Sequence, residues 1–343
     1  MNSDGVFDVI VIGAGPVGMT AARRTMWGAV IQRKGAHAMS PTTSAPDQVS
    51  EEQFHKVECG RGFIAALDQS GGSTPKALKL YGIDEDQYSD DDEMFALMHA
   101  MRSRIIESPS FDGHSIIGAI LFEDTMDRQI DGRDSVSYLW DVKRVVPFLK
   151  IDKGLAVEHD GVQMMNPIDR LASLLSRAKG KGVFGTKMRS FIKRADHVGI
   201  DAVVDQQFEI AKEVMAAHLV PIIEPEVDIH SPEKGEAEEL LKANIAGQLA
   251  QLSSGQTVIL KVSLPDIDDF YADLVGHANV LRVLALSGGY GRKEADHRLA
   301  ANHGVIASFS RALTEGLSVN QSNDEFDHTL KLAIQGILDA SLS

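Results

Sequence analysis

From Arg61 onward the chain alternates short apolar runs with longer stretches in which apolar residues recur every three or four positions. The runs are Phe63–Asp68, Ile116–Glu123, Val145–Asp152, Val183–Ser190, Val220–Val227, Thr257–Leu264, Val280–Gly289 and Ile306–Ser310. Most are continuously apolar, the signature of parallel strands covered on both faces. Between them, Ser89-Asp90-Asp91-Asp92 reads as an N-cap and acidic first turn leading into Met94, Leu97, Met98, Met101 and Ile105 at helical spacing. The same periodicity predicts helices over Asp201–Leu219, Glu236–Leu252 and Asn323–Leu342. Eight strands with intervening helices in about 280 residues match an α/β fold of the (β/α)8 TIM-barrel type in size and count.

Charge is spaced regularly along these runs. Lys150, Lys187, Glu224 and Lys261 follow one another at intervals of 37 residues, and Lys261 interrupts the otherwise apolar Val258–Val262. Side chains alternate across a strand, so Glu224 and Glu226 share a face, as do Lys187 and Arg189. Asp68, Glu123, Ser287 and Arg311 stand at the ends of the other four runs. An open doubly wound sheet gathers its site at one switch point, whereas a barrel draws residues from strands all round the ring. The distribution selects the barrel, with an active site on one rim.

Composition narrows the partners. A net charge of −15 over 343 residues argues against nucleic acid and anionic membranes, so an anionic ligand needs a local cationic pocket. Cys59 is the single cysteine, which excludes an intrachain disulfide and fits a reducing cytoplasm. No apolar run reaches the roughly 18 residues of a membrane span. Residues 8–19 place Gly13, Gly15 and Gly18 in a G-x-G-x-x-G turn after an apolar run, which resembles a truncated FAD/NAD fingerprint. The only candidate second strand, Gly28–Lys34, ends without the acidic residue a ribose needs, and Ser40–Ser50 reads as linker. Residues 1–48 are therefore expected to be an extension without a cofactor, and residues 49–343 the barrel. A native start near Val49 is also expected.

The stretches Gly62–Ser73, Ile120–Glu123, Lys150–Gly154, Lys187–Arg189, Glu224–Glu226, Leu260–Lys261, Leu286–Gly289 and Ser308–Leu313 resemble, in order and spacing, those of class I fructose-1,6-bisphosphate aldolases. The shorter bacterial form is the nearer match, because vertebrate members end in a tail carrying a tyrosine and the last tyrosine here is Tyr290. The resemblance implies Lys261 as the Schiff-base residue, Glu224 as the main acid/base and Glu226 as a residue that tunes the lysine. It also implies Asp68 as the base for the substrate's 4-hydroxyl and a homo-oligomer of unspecified size.

The residues support that chemistry on their own terms. Breaking a carbon–carbon bond beside a carbonyl needs an electron sink, which a neutral lysine supplies by forming an iminium. Burial and a neighbouring cation, for which Lys187 is the candidate, lower a lysine from its ordinary value of about 10.4. Lys187→Met is expected to leave the barrel folded, as a rim charge rather than core volume is removed. Ser287, Gly288 and Gly289 suit a phosphate held by backbone amides, with Arg311 and Ser308 beside it. Ser70, Ser73, Lys150 and Arg189 suit a second phosphate. The 12 histidines show neither H-x-H nor H-x-x-H spacing, so no metal is expected. The leading expectation is a metal-independent aldolase of glycolysis acting on sugar phosphates. Another Schiff-base ketose-phosphate aldolase, a non-catalytic barrel scaffold and a flavoprotein remain open.

Overall fold

The computed structural model describes residues 50–343, which fall within one compact unit, Asp47–Ser343. The fingerprint-like stretch and the proposed start near Val49 lie outside the described residues. Eight parallel strands run β1 (Phe63–Leu67), β2 (Ile116–Leu121), β3 (Val146–Lys150), β4 (Gly185–Ile192), β5 (Val220–Val227), β6 (Val258–Ser263), β7 (Val280–Leu286) and β8 (Val305–Ala307). Each pairs with its successor in chain order. Ala66 N–H donates to Phe309 O at 3.3 Å, which brings the chain just past β8 back to β1 and nearly closes the ring. The fold is the expected TIM barrel.

Two layers of apolar side chains follow from strand alternation. Ile64, Ile120, Phe148, Ile222, Ile259, Leu284 and Ile306 point inward and fill the barrel. Their neighbours, such as Ala65, Ala119, Leu149, Ile223, Leu260 and Ala307, pack outward under the helices. Space inside is tight. A Cβ at Gly118 would approach the Phe148 ring to 2.8 Å, and one at Gly185 would meet Val220 O at 2.2 Å. Gly118 is needed chiefly because the Phe148 ring crosses the interior, and Gly185 because the carbonyl of the next strand stands against it.

Eight longer helices surround the ring: α1 (Glu51–Cys59), α2 (Thr74–Tyr81), α3 (Asp91–Glu107), α4 (Leu171–Gly180), α5 (His197–Ala216), α6 (Lys234–Leu249), α7 (Arg292–Ala300) and α8 (Asn323–Ser341). Helix α1 covers the end opposite the charged rim, with Val57 packed into the interior cluster and Arg282 donating to Val57 O and Gly60 O. Helix α5 begins four residues before the predicted Asp201, because Asp196 accepts from Gly199 N–H and caps it there. Among the described residues no helix is long and apolar enough to cross a membrane.

Candidate active site

The inward column of apolar residues turns polar one step from the rim. Two residues beyond Phe148, Ile222, Ile259 and Ile306 come Lys150, Glu224, Lys261 and Ser308, all facing the same cavity of about 670 Å³. Asp68, Lys187, Arg189, Glu226, Ser70, Ser73, Ser287, Gly288, Gly289 and Arg311 line it too. Every catalytic and phosphate-binding residue named from the sequence is thus gathered at one mouth. Glu123 is not. It starts a short helix, Glu123–Asp127, and its carboxylate pairs with Lys153 at 2.6 Å and with Arg177.

A chain of ion pairs crosses the floor. Lys187 Nζ, 3% exposed, lies 2.7 Å from Asp68 Oδ2, 2.9 Å from Glu224 Oε2 and 3.8 Å from Asp152 Oδ2. Lys261 Nζ, 4% exposed, lies 2.8 Å from the other oxygen of Glu224, Oε1. Register produces this bridge: Lys187 pairs with Ile222 and Ile223 pairs with Leu260, which lifts Glu224 to the level of Lys261. Glu226 takes another partner, pairing with Arg189 Nε. Of the two carboxylates, Glu224 is the one in contact with Lys261.

Electrostatics follow from these contacts. Burial pushes the Asp68 carboxyl up, but Lys187, then Lys261 and Lys150, outweigh it and hold Asp68 below the usual carboxylate range. Burial likewise raises Glu224, and Lys187 with Lys261 bring it below its ordinary value. For Lys187, burial opposes the charge, while Asp68, Glu224 and Asp152 more than offset it and raise the ammonium above the ordinary lysine range. Lys187 is thus a buried, fixed cation rather than the exposed rim charge expected from sequence.

Supporting residues orient this set. Gln207, fully buried on α5, accepts from Glu224 N–H at 2.8 Å and donates to Ser190 Oγ at 3.0 Å. Ser263 Oγ donates to Val227 O and accepts from Val227 N–H, pinning the tops of β5 and β6 together. Gly288 and Gly289 both adopt positive φ, 60° and 127°, and a Cβ at Gly288 would meet Ile229 at 2.6 Å. The turn after β7 therefore exposes backbone to the cavity at a place only glycine fits.

Two charged lining residues were missed from sequence. Asp152, 5% exposed, accepts from Lys150 Nζ at 2.6 Å and from Arg189 N–H at 3.2 Å. The Lys-x-Asp spacing at residues 150–152 was the available signal. Lys76, on α2, lines the mouth, and nothing in its polar helical surroundings distinguished it. Among the described residues no group of three or more histidine, cysteine, aspartate or glutamate side chains has metal-holding geometry.

A buried lysine touching a carboxylate, at the rim of a parallel barrel and beside a glycine turn with an arginine, has the parts that lysine-dependent carbonyl chemistry on an anionic substrate requires. The comparisons give the family. Residues 51–245 match the family model of fructose-bisphosphate aldolase class-I. The chain is 59% identical over 294 residues to fructose-bisphosphate aldolase class 1 of Synechocystis sp., covering 86% of this chain and 98% of the relative. It is 55% identical over 295 residues to fructose-bisphosphate aldolase class 1 of Clostridium acetobutylicum, covering 86% and 100%. A solved fructose-bisphosphate aldolase from Plasmodium falciparum shares the fold, with a TM-score of 0.67 at 19% identity over 87% of this chain and 97% of that one. This chain belongs to the class I fructose-bisphosphate aldolase family. The family-model match begins at residue 51, past the glycine-rich run, so the nucleotide-fingerprint resemblance gains no support from it.

Proposed function

We infer that the chain is an aldehyde-lyase that reversibly cleaves fructose 1,6-bisphosphate to dihydroxyacetone phosphate and glyceraldehyde 3-phosphate through a Schiff base on Lys261. The observation that carries the assignment is the Lys261–Glu224–Lys187–Asp68 chain, in which a buried amine touches a carboxylate that a fixed cation keeps ionised. Glu224 Oε1 takes a proton from the Lys261 ammonium, and the freed amine adds to the substrate ketone. Glu224 then returns that proton to the carbinolamine oxygen, water leaves and an iminium forms. Asp68 removes the proton of the 4-hydroxyl. The carbon–carbon bond breaks, the aldehyde departs and the bond's electron pair enters the iminium as an enamine. Lys187 favours the ionised form of both bases before each accepts its proton.

The phosphates meet the cationic parts of the rim. The backbone of Ser287–Gly289 with Arg311 and Ser308 serves one, and Ser70, Ser73, Lys150 and Arg189 serve the other. Lys150 and Arg189 carry carboxylate partners, so Lys76 shares the charge of the second site. Residues 1–48 take no part in the chemistry, and a chain starting at Val49 that lost activity would refute this. The enzyme works in the cytoplasm as a homo-oligomer, which sedimentation of the pure protein tests.

Borohydride reduction with dihydroxyacetone phosphate, in EDTA, tests the central step. Covalent label on the Lys261 peptide with irreversible loss of activity is expected. Label on Lys187 or Lys150, or activity lost to EDTA and restored by zinc, would overturn the reading.

A further inference from the structure

Helix α3 carries one arginine on its buried face. Arg102 sits beside Met98, Met101 and Ile105 and has no exposed surface. Burying a guanidinium is costly unless its donors are satisfied, and burial pushes this one down to about 10 against the opposing fields of Asp68 and Asp124. Among the described residues no carboxylate is close enough to form an ion pair with it. Its hydrogen bonds go elsewhere. One terminal nitrogen donates to Thr125 Oγ1 at 2.8 Å, and the other donates to the backbone carbonyl of Gln69. Gln69 in turn donates through Nε2 to Ser310 Oγ and, at 3.5 Å, to Ala66 O.

The positions of these partners matter. Gln69 follows Asp68 and precedes Ser70, Thr125 lies in the short helix after β2, and Ser310 lies between Ser308 and Arg311 after β8. One buried guanidinium therefore bonds the rim segments after β1 and β2, and the Gln69 side chain continues the link to the segment after β8. It does so where the backbone helps least, since β1 and β8 share no ladder and Ala66–Phe309 is the backbone hydrogen bond between the segments there.

We propose that Arg102 is a positioning residue of the active site, holding Gln69 so that Asp68 and the Ser70–Ser73 turn on one side, and Ser308 and Arg311 on the other, keep one working geometry across the β1–β8 seam. The proposal rests on the site reading above. Its cost to the fold is a buried cation with its Nε–H unpartnered. Displacing reacting groups by about 1 Å costs on the order of 100-fold in rate, which sets the expected scale.

The test uses the full chain with Arg102→Met, Arg102→Lys, Gln69→Ala and the Arg102→Met/Gln69→Ala double variant. Melting temperature and the kinetics of fructose 1,6-bisphosphate cleavage are measured on each. Half-buried Gln69 supplies a variant that folds even if Arg102→Met does not. Both Arg102→Met and Gln69→Ala are expected to lower kcat/KM by roughly 10- to 100-fold, with kcat falling as well as KM rising. Arg102→Lys should recover part of the loss. The double variant should be no worse than the worse single one, since Arg102→Met removes the donor to the Gln69 backbone carbonyl and Gln69→Ala removes the side chain that carries this hold on to Ser310, successive links of one chain. Folded variants with wild-type kcat/KM and only a lower melting temperature, or losses that simply multiply in the double variant, would overturn the proposal. Borohydride label missing from Lys261 in the wild type would instead overturn the Schiff-base reading, independently of Arg102.

Discussion

The two sides of the active-site mouth are built on opposite electrostatic plans. Over β3 to β6, together with Asp68, four cations (Lys150, Lys187, Arg189, Lys261) face four carboxylates (Asp68, Asp152, Glu224, Glu226), and each has a partner in the set. Over β7, β8 and the start of α2, the lining is Ser287, Gly288, Gly289, Ser308, Arg311 and Lys76, with cations but no carboxylate. Buried charge is tolerable only when paired, and pairing sets each group's protonation state. A site meant to capture anions must leave its cations uncompensated, at the exposed mouth where desolvation is small. On the function proposed above, the paired half serves proton chemistry and, through Lys150 and Arg189, part of one phosphate site, while the unpaired cations meet phosphate in a protein whose net charge is −15.

The comparison breaks most visibly at its hub. Lys187→Met leaves Asp68, Asp152 and Glu224 buried together without their shared cation. Removing one partner of a buried pair costs about 3–5 kcal/mol, so a large fall in melting temperature should accompany a severe loss of kcat. The pH dependence should weaken as well. In the wild type, Asp68 and Glu224 sit below their unfolded values, so their stabilisation is present above about pH 4 and is lost as pH falls through the depressed folded values. In the variant, burial is opposed only by Lys261 and Lys150, so both carboxyls rise from their wild-type positions and the loss of stability below about pH 4 should be shallower. Melting curves of both proteins across that range decide the matter. Parallel curves would mean that Lys187 is not the hub.

Arg311→Ala probes the other half and should leave stability alone. A hydrogen bond to a charged group is worth about 1.5–3 kcal/mol, so KM for fructose 1,6-bisphosphate should rise by roughly 10- to 100-fold with little change in kcat. Added salt should weaken wild-type binding more than that of the variant. A fall in kcat at constant KM would move Arg311 out of the phosphate site.

How much of this could be read from the chain differs between the two layers of organisation. The barrel was legible because strands covered on both faces must be apolar throughout, so a charge such as Lys261 stands out against its run. The lining residues were legible because alternation fixes which side chains share a face. Pairing was not. Whether Lys261 meets Glu224 or Glu226 depends on the stagger between β5 and β6, and no spacing along the chain encodes it. The same limit hid Lys187's burial, and it hid Arg102, whose partners Gln69, Thr125 and Ser310 converge only in three dimensions. Short polar helices such as α1 were lost for a different reason, as Glu51–Cys59 has too few apolar residues to show a period.

Stagger also sets the smallest of the expected effects. Glu226 pairs with Arg189 near the exposed end of the network, and their side chains are 13% and 33% exposed. Glu224, 5% exposed, lies between two lysines. Neutralising each carboxylate isosterically separates their contributions. Glu224→Gln removes the group that shuttles the Lys261 proton, so borohydride trapping should slow sharply. Glu226→Gln keeps a hydrogen-bond acceptor for Arg189 and removes one charge from a half-buried pair that does not touch Lys261. Trapping at Lys261 should then proceed within about 5-fold of the wild-type rate, and KM should shift only slightly as Arg189 gains freedom to meet a phosphate. If Glu226→Gln slowed trapping as much as Glu224→Gln, the two carboxylates would share the lysine after all, and the division between a chemical pair and a phosphate-facing pair would fail at its boundary.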